Sequence, residues 1–255
     1  MPNRIRRRRL LNPVVWTPPI TNGLLRNFDG ATPYGLYTDT AATTPLVSSG
    51  QTVGTWRDWI TGRNLTATGG GQPTWVANLQ NGLGGVQFNG SSNVLLGSDA
   101  DLPAGIATRT AFFVVNWRSL PTGWGGFSYG TTSTSLGVWG LVKGSSGTSP
   151  AHAASVQGWG TDYTSSYAIT ANVPIIYGAT LRATTNIHHF VNGNALNNQA
   201  TVFNTVLNQF RVGAETASSS FQPINAYQIL FYNRAFTDGE MFQTMQGLNT
   251  RWRVY

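Results

Sequence analysis

Short runs of apolar or alternating residues, separated by clusters of Gly, Asn, Ser and Thr, fill the chain from about residue 50 onward. Runs of this length between turn-forming residues are typical of β-strands. The unbroken apolar run at 112–115 suits a central strand that is buried on both faces. Asn192 and Gly193 lie between two runs and predict a type I′ hairpin turn, because both positions must tolerate a positive φ. The predicted strands include 85–90, 110–117, 136–142, 174–183, 187–196, 210–213 and 225–233.

The pattern changes near the end of the chain, where it predicts a helix over about 237–252. Thr237 and Glu240 have the spacing of a capping box, in which each side chain satisfies a backbone donor of the other residue. Apolar residues then follow at intervals of four, three and four, which places them on one helix face: Met241, Met245, Leu248 and Trp252. We therefore expect one amphipathic helix packed against a sandwich.

The first 25 residues, 1–25, predict an extended arm that docks on something else. Pro13, Pro18 and Pro19 exclude a regular helix and most positions in a strand ladder. Residues 10–255 hold 11 Lys or Arg against 9 Asp or Glu, so most of the formal net charge of +7 belongs to the arm. Its basic residues are Arg4, Arg6, Arg7, Arg8 and Arg9.

Composition narrows the class of protein. The remaining residues, 26–255, are ample for one large all-β domain. The low charged fraction of 10% and the 30 glycines suit many short strands joined by tight turns. The absence of cysteine excludes disulfides and thiolate metal sites, and is compatible with assembly in a reducing bacterial cytoplasm. No apolar run approaches the ~20 residues that span a bilayer, and no secretory signal is evident.

Three segments resemble laminin-G-like, concanavalin-A-superfamily domains of phage and prophage structural proteins. The first is 38–76, which begins TDTAATTPLVSSGQTVGTWRDW, and the second is 85–96, GVQFNGSSNVLL. The third, 221–252, contains AYQILFYNRAFTDGE and matches the family's last strand and terminal helix. The resemblance implies an antiparallel β-sandwich of the jelly-roll, concanavalin A or laminin G type. Asn89 and Gln228 stand where many members have an acidic residue, so no calcium site carries over.

The resemblance also implies a structural accessory protein of a bacteriophage virion, either a capsid decoration subunit or a tail or fibre subunit. We expect the arm to dock on capsid or tail subunits through its arginines and Trp16, and copies to form a homo-oligomer within the particle. Nucleic acid and a solvated tail are the alternatives for the arginines, but the domain has no base-reading motif. Guanidinium groups form paired hydrogen bonds with carboxylates, which favours docking on protein.

A second function, carbohydrate binding by a receptor-recognition module of the tail, is suggested by aromatic residues among glycines. Aromatic rings can stack on the sugars of a host surface glycan while neighbouring polar groups bind the hydroxyls. The competing interpretation, which we favour, is that these rings fill the core between two sheets. The candidates are Trp124, Tyr129, Trp139, Trp159 and Tyr163.

The acidic and histidine residues predict neither an enzyme nor a metal site. Glycoside hydrolysis needs two carboxylates that flank the scissile bond. The closest pair, Asp99 and Asp101, lies in a predicted loop, and the acidic residues near 240 are explained by the helix cap. His188 and His189 are neighbours in a predicted strand and so point to opposite faces. We therefore expect no catalysis, no cofactor and no bound metal.

Overall fold

The computed structural model describes residues 16–68, 71–182, 186–215 and 219–255. Within these ranges the regular secondary structure is β-strand apart from one helix, α1 (Asp238–Trp252). In chain order the strands are β1 (Leu24–Asp29), β2 (Leu36–Tyr37), β3 (Thr55–Trp56), β4 (Leu65–Ala67), β5 (Thr74–Gln80), β6 (Leu83–Gln87), β7 (Leu95–Gly97), β8 (Arg109–Trp117), β9 (Gly125–Gly130), β10 (Val138–Lys143), β11 (Ala153–Gln157), β12 (Tyr163–Ala168), β13 (Pro174–Arg182), β14 (Asn186–Val191), β15 (Asn194–Ala200), β16 (Phe210–Val212) and β17 (Ile224–Tyr232).

The strands form two antiparallel sheets that pack face to face. The first sheet has the order β15-β14-β13-β8-β17-β6-β5, and β1 also pairs with β17. The second has the order β12-β11-β10-β9-β16-β7-β4-β3-β2. The predicted all-β, antiparallel sandwich with one helix near the end of the chain is confirmed.

The inter-sheet core is built from the inward residues of both sheets. Strand β8 is buried along nearly its whole length, as the apolar run at 112–115 predicted. From the first sheet, Phe113 packs its ring edge-on against Phe127 of the second sheet, at 5.3 Å between centroids. Phe127 then stacks on Phe210 at 5.6 Å. Aromatic packing of this kind joins the two layers.

Helix α1 covers the outer face of the first sheet. The predicted capping box is present, with Thr237 accepting from the Glu240 backbone and Glu240 accepting from the Thr237 backbone. The apolar face of the helix packs on outward residues such as Phe112 and Ile176. All four predicted helix residues are fully buried: Met241, Met245, Leu248 and Trp252.

The segment 16–23 packs on the same face, which corrects the predicted arm boundary at residue 25. The Arg251 guanidinium lies 5.2 Å from the Trp16 ring centroid, and the Tyr232 hydroxyl donates to the Ile20 carbonyl at 2.9 Å. Strand β1 follows directly, so these residues belong to the domain. The rest of the predicted arm, with its five arginines, lies outside the described residues.

A tight hairpin joins β14 to β15. Asn192 and Gly193 have φ values of 50° and 75°. The predicted turn with two positive φ angles is therefore confirmed.

No helix in the described part of the chain is long and apolar enough to cross a membrane.

Candidate functional site

The outer face of the second sheet differs from the covered face of the first. Because side chains alternate along a strand, Phe127 and Tyr129 of β9 point into the core, whereas Ser128 points outward. On β10, Trp139 and its inward neighbours enter the core, and Gly140 faces outward. The outward positions of these strands thus include polar residues and glycine, beside Val138 and Val142 of β10.

Strand pairing brings four outward residues into one line across the sheet. Gln157 of β11 pairs with Gly140 of β10, which pairs with Ser128 of β9. Ser128 in turn pairs with Arg211 of β16. We name Gln157, Gly140, Ser128 and Arg211 the polar row. Neighbouring strands are about 4.8 Å apart, so the row extends roughly 14 Å.

Three side-chain atoms of the polar row have no hydrogen-bond partner among the residues that the structure describes. They are Gln157 Oε1, Ser128 Oγ and Arg211 Nε, on side chains that are at most 2% exposed. The other polar ends are used: Gln157 Nε2 donates to Glu215 Oε1 at 2.8 Å, and Arg211 Nη2 donates to the Gly130 carbonyl at 2.8 Å. Buried polar atoms are nearly always paired, so this row requires an explanation.

Gly140 keeps the middle of the polar row free of side-chain atoms. A Cβ at this position would collide with the Phe127 carbonyl and with Ser128. Backbone atoms therefore form the floor between Gln157 and Ser128. The row presents an acceptor on Gln157, a hydroxyl on Ser128 that both donates and accepts, and a donor on Arg211.

Two carboxylates lie beside the polar row. Asp162 accepts from the backbone N–H groups of Gly158 at 2.9 Å and Trp159 at 3.3 Å. Burial raises the pKa of Asp162. Burial also raises the pKa of Glu215, and the negative charge of Asp162 raises it further. The two carboxylates are therefore close enough to influence each other's titration.

A buried cation also contributes to the electrostatics of this face. The ammonium group of Lys143 donates to the carbonyls of Pro121, Gly123 and Gly144 at 2.8, 2.6 and 3.0 Å. Burial lowers the pKa of Lys143 to about 8, while the charge of Glu215 raises it. Among the described residues, no three His, Cys, Asp or Glu side chains are grouped as they would be to hold a metal ion.

Two of the five candidate aromatic residues are in the core. Tyr129 and Trp139 are fully buried, and both rings pack edge-on against Phe231, at 5.4 Å between centroids. The Tyr129 hydroxyl donates to a backbone carbonyl, that of Pro103. Their assignment to a glycan site is wrong, because a ring without exposed surface cannot stack on a sugar.

The other three candidates are half-buried and do not form one cluster. Tyr163 packs its ring on Phe203 at 5.3 Å. Trp124 precedes β9, four residues before Ser128, which places it about 13 Å away along the strand at ~3.3 Å per residue. Trp159 follows Gln157 by two residues, and its backbone is held by Asp162. Trp159 and Tyr163 both lie near the polar row, since Tyr163 pairs with Val156, the neighbour of Gln157.

The sequence predictions missed the polar row itself. Its members come from four strands between residues 128 and 211, and no local motif joins them. A usable signal was present in the segments GGFSYG and AASVQGW, where small polar residues alternate with apolar ones. That alternation marks outward positions on a sheet, although it does not tell which strands become neighbours.

The predicted docking residues have a mixed outcome. Trp16 is half-buried on its own domain, where its backbone carbonyl accepts from Asn27 Nδ2 at 3.4 Å. Docking on virion subunits through the basic arm stays a prediction, because its arginines lie outside the described ranges: Arg4, Arg6, Arg7, Arg8 and Arg9.

Comparisons with known proteins show the fold. No family model and no curated protein matches the chain. Among solved structures, Trypanosoma rangeli sialidase matches with a TM-score of 0.60 at 13% identity, over 90% of this chain and 33% of that chain. A GH54 α-L-arabinofuranosidase matches with a TM-score of 0.63 at 11% identity, over 79% of this chain and 51% of that chain. The binding domain of Paraclostridial Mosquitocidal Protein 1 matches with a TM-score of 0.60 at 13% identity, over 79% of this chain and 51% of that chain.

These neighbours overturn the expectation that the chain is not an enzyme, because a sialidase and an arabinofuranosidase share its fold. At 11–13% identity the likeness shows the fold alone. The chain also spans only a third of the sialidase and about half of the arabinofuranosidase.

Proposed function

We propose that this domain binds carbohydrate at the surface beside the Gln157 end of the polar row. The polar row itself is at most 2% exposed, so a sugar would contact the half-buried side chains next to it. The observation that carries the proposal is the grouping of one aromatic ring with two carboxylates: Asp162 accepts from the Trp159 backbone, and its charge raises the pKa of Glu215. Sugar hydroxyls donate hydrogen bonds to carboxylates, and sugar rings stack on aromatic side chains.

Residues beside the row add the other elements of a sugar site. Asp162 and Glu215 are half-buried carboxylates that can accept from further hydroxyls. The half-buried ring of Trp159 offers apolar area for stacking. Two structural neighbours are named for activity on carbohydrates and a third is a binding domain, which supports this proposal at the level of fold.

The test is a printed array of neutral and acidic oligosaccharides, followed by calorimetry with the strongest hit. We expect Glu215→Ala to weaken binding about fivefold, the value of one hydrogen bond of ~1 kcal/mol. We expect Trp159→Ala to weaken it about tenfold, since stacking contributes about 1.5 kcal/mol. Trp124→Ala is the matched control, because this half-buried tryptophan lies about 13 Å from the row, and it should bind like the wild type.

Each array result has a defined meaning. No hit with the folded wild type would overturn carbohydrate binding. A hit that survives both Glu215→Ala and Trp159→Ala would place the sugar elsewhere and overturn the assignment to the surface beside the polar row. Melting curves of each variant accompany the titrations, so that a loss of binding is separated from a loss of fold.

We propose a phage particle as the setting, with the domain serving as a decoration or tail subunit. The support is the sequence resemblance of segments 38–76, 85–96 and 221–252. Immunogold labelling of purified particles with antibody to the folded domain tests it. Label over heads would indicate a decoration subunit, label on tails would indicate receptor recognition, and unlabelled particles would contradict the setting.

A further inference from the structure

A second surface feature lies on the side of the molecule where the chain enters β1. It is an open cleft of about 300 Å³ between the segment 16–24 and the loop after β3. Its volume is at the lower end of the range for small-ligand sites. We name it the tryptophan cleft, lined by Trp16, Thr17, Pro18, Thr21, Leu24, Asn27, Trp59 and Ile60.

The Trp59 wall of the cleft is rigidly held. Tyr34 stacks on the Trp59 ring at 5.6 Å with an interplanar angle of 7°, and the Arg57 guanidinium lies 4.9 Å from its centroid. The loop that carries Trp59 is also held by the buried Arg26, which donates to Thr61 Oγ1 at 2.6 Å. A preformed wall lowers the entropic cost of binding.

The Trp16 wall is held from the opposite side. Arg251 lies against the ring, and Asn27 donates to the backbone carbonyl. Arg251 is itself fixed by Asp29, which accepts from it at 2.7 Å. Both walls of the cleft are therefore defined by contacts within the domain.

The two tryptophans have unused donors. Neither the Trp16 nor the Trp59 indole N–H has a hydrogen-bond partner among the described residues. Tyr34 and Arg57 both contact the Trp59 ring. An acceptor that meets the indole edges would pair these two donors.

A free cation stands beside the cleft. Arg57 is exposed and forms no ion pair with any residue that the structure describes. Ile60 at the mouth is 45% exposed although it is apolar. The surface therefore combines apolar area, two indole donors and one positive charge.

We propose that the tryptophan cleft binds an extended, proline-containing peptide of a partner protein that carries an acidic residue beside the prolines. Polyproline II segments have backbone carbonyls without internal hydrogen bonds, and aromatic-lined grooves recognise them. The indole N–H groups of Trp16 and Trp59 donate to these carbonyls. Arg57 pairs with the acidic side chain, a charge-assisted contact that adds orientation as well as energy. This site is independent of the polar row.

The test is a calorimetric titration of the full chain with the acetylated, amidated peptide APPDPP. The matched peptides are AAADAA, which lacks proline, and APPNPP, which lacks the charge. We expect saturable binding of APPDPP, at least tenfold weaker binding of AAADAA, and about fivefold weaker binding of APPNPP, equal to ~1 kcal/mol. Trp59→Ala should abolish binding, and Trp124→Ala is the control that should leave it unchanged.

A second variant, with the charge at position 57 reversed, tests the proposal even if Trp59→Ala disturbs the loop. Arg57→Glu changes an exposed side chain and should exchange the preference from APPDPP to APPKPP. The proposal is overturned if APPDPP does not bind the wild type, if Arg57→Glu leaves the preference unchanged, or if folded Trp59→Ala still binds. Binding of an oligosaccharide probe that is lost in Trp59→Ala would also overturn it, in favour of a sugar site.

Discussion

The outer faces of the two sheets differ in the side chains that they carry and in what covers those side chains. The first sheet carries large apolar side chains on its outer face, and α1 together with the segment 16–23 covers them. The second sheet presents glycine and polar residues there, beside Val138 and Val142 of β10, and three atoms of the polar row are unpaired among the described residues. On the first face, Thr180 Oγ1 contacts Thr110 Oγ1 at 2.9 Å and accepts from the Phe236 backbone at 3.1 Å, although Thr244 Oγ1 and Arg251 Nε of α1 also lack a partner among the described residues.

The difference between the two faces indicates that the first serves stability and the second serves ligand binding. An apolar face closed by the chain's own helix contributes to the free energy of unfolding through burial. Buried polar atoms without partners lower that free energy, because they have given up hydrogen bonds to water. Substitutions should therefore reduce stability on the first face and ligand affinity on the second.

The largest effect is expected for Trp252→Ala on the first face. Trp252 is fully buried, packs on Tyr227 at 5.2 Å and donates from Nε1 to Gln228 Oε1. We expect urea unfolding to show a loss of about 3–5 kcal/mol. Phe242→Ala is the control on the same helix, since its ring is 39% exposed, and it should cost less than about 1 kcal/mol. Equal losses would mean that burial on this face does not dominate stability.

Truncation should divide the predicted arm at residue 16. Deleting residues 2–23 removes the packing of Trp16 and Ile20 on the first face, and should lower the free energy of unfolding by about 2–4 kcal/mol. Deleting residues 2–15 preserves that packing and should leave the melting temperature nearly unchanged while abolishing incorporation into particles. If the shorter deletion still loads normally onto particles, the docking arm is contradicted.

Removing one hydroxyl from each face gives a smaller and opposite pair of effects. Thr180→Val removes one of the two hydroxyl acceptors of the Phe236 backbone N–H and leaves that of Thr110, and should cost about 1 kcal/mol in denaturant unfolding. Ser128→Ala removes a hydroxyl that has no partner, and the unfolding free energy should stay the same or rise slightly. A loss of more than about 1 kcal/mol in Ser128→Ala would show that the polar row is paired in the free protein.

The smallest effects concern two glutamates whose contributions to the free energy of unfolding depend on pH in opposite directions. Hydrogen bonding by Arg234 lowers the pKa of Glu240 from 4.5 to about 2, so its stabilising contribution is present above pH 4.5 and disappears as the pH falls toward 2. Burial raises the pKa of Glu215 above 4.5. Its ionisation therefore opposes folding as the pH rises through the folded-state pKa.

Stability curves of Glu240→Gln and Glu215→Gln against pH check these signs. Glu240→Gln should be less stable than the wild type at pH 7 by about 1 kcal/mol, the value of a helix cap, and should equal it near pH 2. Glu215→Gln should equal the wild type at low pH and be as stable or more stable at pH 7. Curves with the same sign for both variants would contradict the assignment of the two environments.

Much of the fold could be predicted because its signals are local. The capping box of Thr237 and Glu240, the turn at Asn192 and Gly193 and the buried run of β8 all depend on residues close together in the chain. The N-terminal boundary could not be predicted, because the contact between Trp16 and Arg251 joins distant parts of the sequence.

The polar row depends on strand order, which local patterns leave open. Strands β9 and β16 are neighbours in the second sheet although six strands separate them along the chain. The aromatic candidates failed for a related reason, since a shift of one residue moves a side chain to the other face of a strand. Tyr129 and Ser128 are consecutive, yet one lies in the core and the other in the polar row.

The contact between Trp16 and Arg251 also determines the point at which residues before Trp16 join the domain. That point lies beside α1, on the outer side of the first sheet. The surface beside the polar row lies on the outer side of the second sheet, at least the ~10 Å inter-sheet spacing away. A support that held the chain through residues before Trp16 would therefore meet the helix side first and leave the proposed sugar site on the opposite side.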